Sequence, residues 1–236
     1  DSGGGGVRWV NHPLKDDAAH RKVLQLKAAR EAGLEVPDTL VTNDPGEMLR
    51  FHESCEGEVV VKLLHVVHAI THADGEKRIM FTYPLRRRDL VNRRTLRYAP
   101  MTLQEYVPKR LELRVTVVGE RVFAAAIDSQ ASRSTRHDWR HYDCDRAGYA
   151  AHTLPDAIAE RCARLVAAYG LRFGAIDLIL TPSGDYVFLE LNPNGQWSFA
   201  QELTGLPIAD AIADELLGAA DGPQASSPEG ARAVTV

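Results

Sequence analysis

The sequence predicts an α+β fold, or a mixed α/β one, assembled from antiparallel hairpins. Three observations carry this. Strands and helices are interspersed without the regular alternation that builds a parallel sheet. Apolar runs are joined by tight turns at Gly119–Glu120 and Ser183–Gly184, the kind that closes hairpins. The 236 residues suffice to bury a core in one large unit or two small ones. Apolar content of 44% and charged content of 25% are ordinary for a globular protein. A net charge of −4 gives no general reason to expect nucleic acid as a partner. No apolar run approaches about 18 residues, so no membrane span is expected, and the start carries no secretory pattern. Cys55, Cys144 and Cys162 are odd in number and lack metal-ligand spacing, which points to a reducing, cytoplasmic setting.

Residues 1–8 read as a linker or remnant; as a phosphate loop the glycine run lacks a preceding strand and a following lysine. Ala18 to Ala32 read as one helix, with Val23, Leu26, Ala29 and Arg30 at helical spacing and Gly33 as its stop. Thr39–Val41 is a short strand. Asp44, Pro45 and Glu47 start a second helix through a capping acid and a proline at its first position. Glu58–Leu64 is an apolar strand. His65–His72 and Lys77–Tyr83 flank a turn at Ala73–Glu76 and form a hairpin. Thr102–Val107, Leu113–Val118 and Arg121–Asp128 are strands, and Gln130–Gly148 is polar and irregular. Leu154–Tyr169 is a helix, followed by the hairpin Phe173–Asn192 and helices from about Trp197 and Ile208. Residues 218–236, rich in Gly, Ala, Pro and Ser, read as a disordered tail.

The chemistry concentrates in the last hairpin. A two-residue turn at Ser183–Gly184 pairs Pro182 with Asp185 and places Asp177 directly opposite Glu190. Asn192, two residues on, points to the same face. Opposed carboxylates repel unless a cation lies between them, and an Asp/Glu/Asn oxygen set suits Mg²⁺. The plain alternative is two solvated acids, against which the apolar flanks speak. Lys62 sits among Val59–Leu64. It is either an outward lysine on a half-exposed strand or one facing a buried anion, where a phosphate would offset its desolvation. Glu105, Tyr106 and Val107 end a strand at Pro108, leaving backbone groups that an adenine edge can use. Arg114 alternates with apolar residues on the face of Glu112. It makes a surface ion pair or a phosphate or carboxylate clamp. The polar loop after Asp128 offers Arg133, Arg136 and Arg140 as substrate contacts; its lone His137 and Cys144 carry no proposal. Residues 77–97 hold eight basic side chains, among them Arg86, Arg87 and Arg88, against the single acid Asp89. That local charge of +7 suggests an acidic peptide partner rather than nucleic acid, because stacking aromatics are not interleaved. A solvated basic loop is the plain alternative.

Taken in order, Lys62, Glu105–Tyr106, Arg114, Asp177, Glu190 and Asn192 resemble the ATP-grasp superfamily. Gly174-Ala175-Ile176-Asp177-Leu178 followed by Leu189-Glu190-Leu191-Asn192-Pro193-Asn194-Gly195 looks like its metal-binding end. Within it the chain looks most like the graspetide, or microviridin-type, ribosomal-peptide maturases. That likeness is carried by Trp9–Pro13, Val36–Pro45, Leu111–Gly119 and Asp138-Trp139-Arg140, and it runs from about Val7 to Leu217. The resemblance implies an α+β ATP-grasp fold of two subdomains with antiparallel sheets clasping ATP, a central one over 9–105 and a C-terminal one over 106–217. It implies Lys62 on the phosphates, Glu105, Tyr106 and Val107 at the adenine, and Mg²⁺ on Asp177, Glu190 and Asn192. The implied activity is an ATP-dependent carboxylate ligase. It phosphorylates Asp or Glu side chains of a precursor peptide and forms ester or amide cross-links. In that chemistry Arg114 would be catalytic by neutralising phosphate with Lys62, and Arg133, Arg136 or Arg140 by steadying the acyl phosphate. The local charge of +7 makes Arg86, Arg87 and Arg88 the expected peptide-binding residues. A lid rich in glycine is common in the superfamily; here 65–85 hold only Gly75, in keeping with the hairpin of the graspetide ligases. Those ligases usually begin with a further domain of roughly a hundred residues, which this sequence is expected to lack. The rival readings are an amino-acid ligase resembling the ribosomal-protein glutamate ligases and a non-catalytic ATP-binding regulator. A homo-oligomer is left open.

Overall fold

Antiparallel pairing organises this chain, and its two larger sheets hold separate apolar cores. The computed structural model describes residues 7–63, 70–71, 77–78, 82–131 and 148–218. In chain order these form α1 (Pro13–Ala19), α2 (Lys22–Glu31), β1 (Thr39–Thr42), α3 (Pro45–Ser54), β2 (Val59–Lys62), β3 (Ile70–Thr71), β4 (Lys77–Arg78), β5 (Tyr83–Pro84) and α4 (Arg87–Val91). A 3₁₀ turn at Arg93–Tyr98 leads to β6 (Met101–Glu105), β7 (Leu111–Val118), β8 (Arg121–Ile127), β9 (Tyr149–His152) and α5 (Asp156–Ala168). The hairpin β10 (Phe173–Leu180) and β11 (Tyr186–Asn192) precedes α6 (Ser198–Thr204) and α7 (Ile208–Leu217). Among the described residues the strands make a sheet β1-β6-β2-β5, a sheet β11-β10-β7-β8-β9 and the small pair β3-β4.

The smaller of the two main sheets packs Val59, Val61 and Leu103 against Met48 of α3 and against Leu85 and Leu96. α3 begins as expected: Asp44 Oδ1 accepts from the Gly46 and Glu47 N–H groups at 2.6 and 2.9 Å, with Pro45 at the first position. The larger sheet is covered on one face by α2 and α5, where Leu113, Val115, Val117, Ile176, Leu178 and Phe188 meet Ala29, Leu165 and Val166. On its other face Val118, Ala125 and Phe173 pack against Ala200, Ile208 and Ala211 of α6 and α7. That cover is confined to one end, and the rest of the face carries charge.

Several elements differ from expectation. The single helix over 18–32 is two helices, because Arg21 (φ −76, ψ 89) leaves the helical region between them. The inner face of α2 is Gln25 and Ala29, whereas Val23 is 53% exposed. β9 and α4 were not foreseen. The hairpin expected across 65–83 is present as the pairs Ile70↔Arg78 and Thr71↔Lys77; its turn lies outside the described residues, as do the polar segment 132–147 and the tail from 219.

The last hairpin keeps the expected opposition of Asp177 and Glu190 but reaches it differently. Pro182 does not pair with Asp185. Thr181 N–H donates to the Asp185 carbonyl, and Gly184 N–H to the Thr181 carbonyl. The loop is therefore three residues, Pro182-Ser183-Gly184, with Gly184 at φ 98. Proline favours the first central position of such a turn, and Gly184 takes the left-handed position that closes it. The outer half of the ladder is offset by one, with Leu178 opposite Phe188, and a β-bulge restores register at Asp177. Leu189 is the extra residue. Phe188 thus faces the core beside Leu178 while Glu190 faces Asp177 on the other side, although strict alternation would put them on one face.

Candidate active site on the sheet face

The open part of the larger sheet presents one transverse ladder. Cα register aligns Ala125, Arg114, Asp177 and Glu190 across β8, β7, β10 and β11. Two pairs further along, and so on the same face, Ala175 lies opposite Asn192. Asn192 Nδ2 donates to Glu190 Oε1 at 3.1 Å. The two carboxylates do not face each other uncompensated. Arg114 Nε lies 3.1 Å from Asp177 Oδ1, with both side chains about nine-tenths buried or more (7% and 11% exposed). Lys22, at the start of α2, donates to Glu190 Oε2. A second buried pair follows on the same face, Lys109 Nζ to Glu112 Oε1 at 2.8 Å, with 4% and 7% exposure. Breaking such a pair strands a charge and costs about 3–5 kcal/mol. Arg114 and Glu112 share a face as expected but pair with Asp177 and Lys109 rather than with each other, and neither pair is at the surface.

Two of these cations, Lys22 and Lys109, were not picked out from sequence. Lys22 reaches Glu190 from 168 positions away, which no local pattern reports. One nearby signal was present: Gln25 is a polar residue on the inner face of a helix. It is 1% exposed, accepts from Leu191 N–H at 3.0 Å and donates to the Leu191 carbonyl at 2.7 Å. That pair of hydrogen bonds fixes α2 against β11 and brings Lys22, nearly one turn earlier, to Glu190.

On the smaller sheet, Lys62 Nζ donates to Gln104 Oε1 at 2.6 Å. Gln104, 3% exposed, donates in turn to Thr39 Oγ1 at 2.9 Å, and Thr39 donates to the Pro37 carbonyl at 3.0 Å. The relay fixes which end of the amide faces the lysine. At the end of β6 the Glu105 N–H bonds the Asp38 carbonyl and the Tyr106 N–H bonds the Glu58 carbonyl, each at 2.9 Å. Of the three residues expected to leave donors unpaired there, two therefore have theirs occupied. No hydrogen bond joins the Val107 N–H to another described residue.

Arg86, Arg87 and Arg88 are exposed at the start of α4. Asp89 anchors that start by accepting from the Arg86 N–H and the Tyr83 hydroxyl, both at 2.9 Å. Burial works to raise the Asp89 carboxyl. These two bonds and the cations of Arg88 and Arg86 outweigh it and hold the group below its ordinary range. Val91, at the end of the same helix, and Tyr98, at the end of the 3₁₀ turn that follows, are 74% and 90% exposed. Arg133, Arg136 and Arg140, like Cys144, lie outside the described residues. Cys162 is fully buried, and burial pushes its thiol up to about 12, which makes it unreactive.

The donor set fits a hard divalent cation. Among the described residues no three His, Cys, Asp or Glu side chains come together, but two carboxylates and an amide do. Magnesium is commonly bound by one or two carboxylates plus substrate phosphates. Each carboxylate here already meets a cationic nitrogen, so the chain itself supplies positive charge where a cation would sit.

Comparison with solved structures bears on the fold. No protein-family model matches the chain, nor does any curated protein. A RiPP-associated ATP-grasp ligase of Chryseobacterium gregarium, in complex with ADP and a leader and core peptide, superposes with a TM-score of 0.84 at 34% identity, covering 92% of this chain. The chain has the ATP-grasp fold. Macrocyclase MdnC of Microcystis aeruginosa MRC, bound with precursor peptide MdnA, is 38% identical over 89% of this chain, with a TM-score of 0.78. The ADP complex of purK, an N5-carboxyaminoimidazole ribonucleotide synthetase, shares the fold at 18% identity and a TM-score of 0.51. The resemblance in sequence to ATP-grasp ligases of ribosomal peptides is thus matched by structural neighbours of that kind. The ATP-grasp chain spans 64% and 65% of the first two relatives' lengths.

Proposed function

We propose that this chain is the ATP-binding and ligase portion of a graspetide maturase. The observation that carries the reading is the transverse ladder, in which Asp177 and Glu190 stand opposite each other with Asn192 beside them and Arg114 and Lys22 at their flanks. Asp177, Glu190 and Asn192 would hold Mg²⁺, which when bound neutralises phosphate charge. Lys62 would meet the nucleotide phosphates, and the Val107 N–H, next to Glu105 and Tyr106, would meet the adenine edge. Arg114 would face the acyl phosphate, with Arg133, Arg136 and Arg140 as further contacts. The chemistry asks the protein mainly to position and to stabilise charge. A precursor carboxylate takes the γ-phosphoryl group and ADP leaves; a hydroxyl or amine then attacks the acyl carbon and phosphate departs.

The partner in this reading is a precursor peptide. Exposed Arg86, Arg87 and Arg88, with exposed Val91 on the same helix, offer it a basic and partly apolar docking surface. MdnC bound with MdnA, and the Chryseobacterium ligase with its leader and core peptide, support that partner. The setting is the cytoplasm. Cys162 is a free buried thiol, and no described helix is long and apolar enough to cross a membrane.

The test is incubation of the purified chain with ATP, Mg²⁺ and an acidic candidate peptide, read by mass spectrometry. Loss of one water per cross-link is expected. Addition of an amino acid would identify a glutamate-ligase-like enzyme instead, and nucleotide binding without product would identify a regulator.

A further inference from the structure

Arg114 is held by more than its carboxylate. It is 6% exposed, and its guanidinium carbon lies 5.7 Å from the centre of the Phe199 ring on α6. The Phe199 ring is met edge-on by Tyr149 of β9, with centroids 6.2 Å apart and planes at 73°. From the connection between β11 and α6, Gly195 closes in from another side. A Cβ there would lie 2.6 Å from Ala175 Cβ, 3.0 Å from Asn192 Cβ and 3.1 Å from an Arg114 terminal nitrogen. The guanidinium therefore sits among Asp177, the Gly195 backbone and an aromatic face, and that face is itself buttressed by Tyr149.

We propose that Phe199 is a positioning residue that fixes the Arg114 guanidinium over the sheet while leaving its charge available to an anion. The chemistry follows from how an aromatic ring attracts a cation. A second carboxylate would hold Arg114 as firmly but would cancel its charge. The quadrupole of a ring face attracts a cation without a formal charge, by an amount worth about three- to thirtyfold in an equilibrium when partly desolvated. This matters most where Asp177 is shared with a metal, because Arg114 then keeps only part of its counter-charge. Gly195 serves the same end by letting backbone come close, since a Cβ there would clash first with Ala175 and would also press on the arginine. The inference rests on the proposed function for its catalytic consequence, but not for the clamp itself.

The experiment has two arms on the whole chain. In the first, the Nε–Hε resonance of Arg114 is assigned by its disappearance in Arg114→Lys and followed by ¹H–¹⁵N NMR. A proton held near an aromatic face carries a ring-current shift. Phe199→Leu should remove that shift and speed exchange with water, whereas Phe199→Tyr should preserve both. In the second arm, peptide-dependent ATP turnover of Phe199→Leu should fall about tenfold in kcat with the KM for ATP within about twofold. Phe199→Tyr should recover most of the loss. An unchanged Arg114 resonance in Phe199→Leu overturns the clamp. A lost shift with unchanged kcat, or equal impairment of the leucine and tyrosine variants, overturns the part given to the clamp in turnover. If wild type turns over no peptide, the functional reading has failed, and the NMR arm still decides whether Phe199 positions Arg114.

Discussion

The two main sheets hold their site cations by different means. On the larger sheet each cation is matched by a full negative charge: Arg114 by Asp177, Lys22 by Glu190, Lys109 by Glu112. On the smaller sheet Lys62 is held by a neutral amide, Gln104. A carboxylate partner makes the larger sheet face nearly neutral in itself, so a metal entering there exchanges one cationic neighbour for another. An amide partner orients Lys62 without itself cancelling the ammonium charge, which suits the phosphate contact proposed for it. The contrast teaches that a hydrogen-bond partner's charge, and not only its geometry, assigns a lysine or arginine its task.

The contrast is broken most severely at the metal side. Glu190→Gln is nearly isosteric and should keep the fold. It removes a full charge from the proposed Mg²⁺ site, and the loss of about 3 kcal/mol of stabilisation should lower turnover about a hundredfold. Turnover within twofold of wild type in saturating Mg²⁺ would remove Glu190 from the site. On the other sheet, Lys62→Ala should weaken ATP binding about thirtyfold by calorimetry, the size of a lost charge-assisted hydrogen bond. Lys62→Arg should recover only part, because the planar fork needs more room than an ammonium. Unchanged affinity in the alanine variant would place the phosphates elsewhere.

A smaller effect is expected away from both sheets. Reversing Arg86, Arg87 and Arg88 to Glu should raise the peptide KM roughly tenfold and leave ATP affinity unchanged. Added salt should weaken wild-type peptide binding, since exposed charges are screened over about 8–10 Å. Fluorescence anisotropy at two salt concentrations checks both; equal affinity throughout would make the stretch a solvated surface. The most delicate variant addresses the amide directly. Gln104→Glu keeps the shape and the bond to Lys62 but adds the opposing charge and replaces the N–H that Thr39 Oγ1 accepts by an acceptor, so it should weaken ATP binding about fivefold and lower the melting temperature as well. Tighter ATP binding in this variant would refute the role given to the neutral partner.

Much of this arrangement was legible in the sequence. The strands bearing Lys62, Arg114, Asp177 and Glu190 were readable because each alternates or is continuously apolar between clear turns. The tight turn at Gly119–Glu120 was also readable, with Val118 opposite Arg121 and Gly119 at φ 59. What escaped was contact between distant segments. Lys22 and Gln25 belong to a helix whose local pattern favoured Val23 as an inner residue, and only its docking on β11 explains why the polar side chains face inward. The amides of Glu105 and Tyr106 were expected to be open at a strand end. Asp38 and Glu58 fill them from neighbouring segments that sequence spacing does not align.

The bulge at Leu189 makes β11 a strand with a phase slip. Up to Phe188 the even positions belong to the core; from Glu190 onward they belong to the charged face. Deleting Leu189 would set Glu190 directly after Phe188, and plain alternation would then keep Phe188 on the core face opposite Leu178 and Glu190 on the charged face opposite Asp177. Replacing the bulge by a regular ladder is therefore expected to preserve both the core and the opposition of the two carboxylates, and to change only the local bend and twist that an extra residue imparts. Stability and chemistry should part company in that variant: the hairpin should melt near the wild-type temperature, and a drop in turnover would measure how far the bend itself aims Glu190 and Asn192.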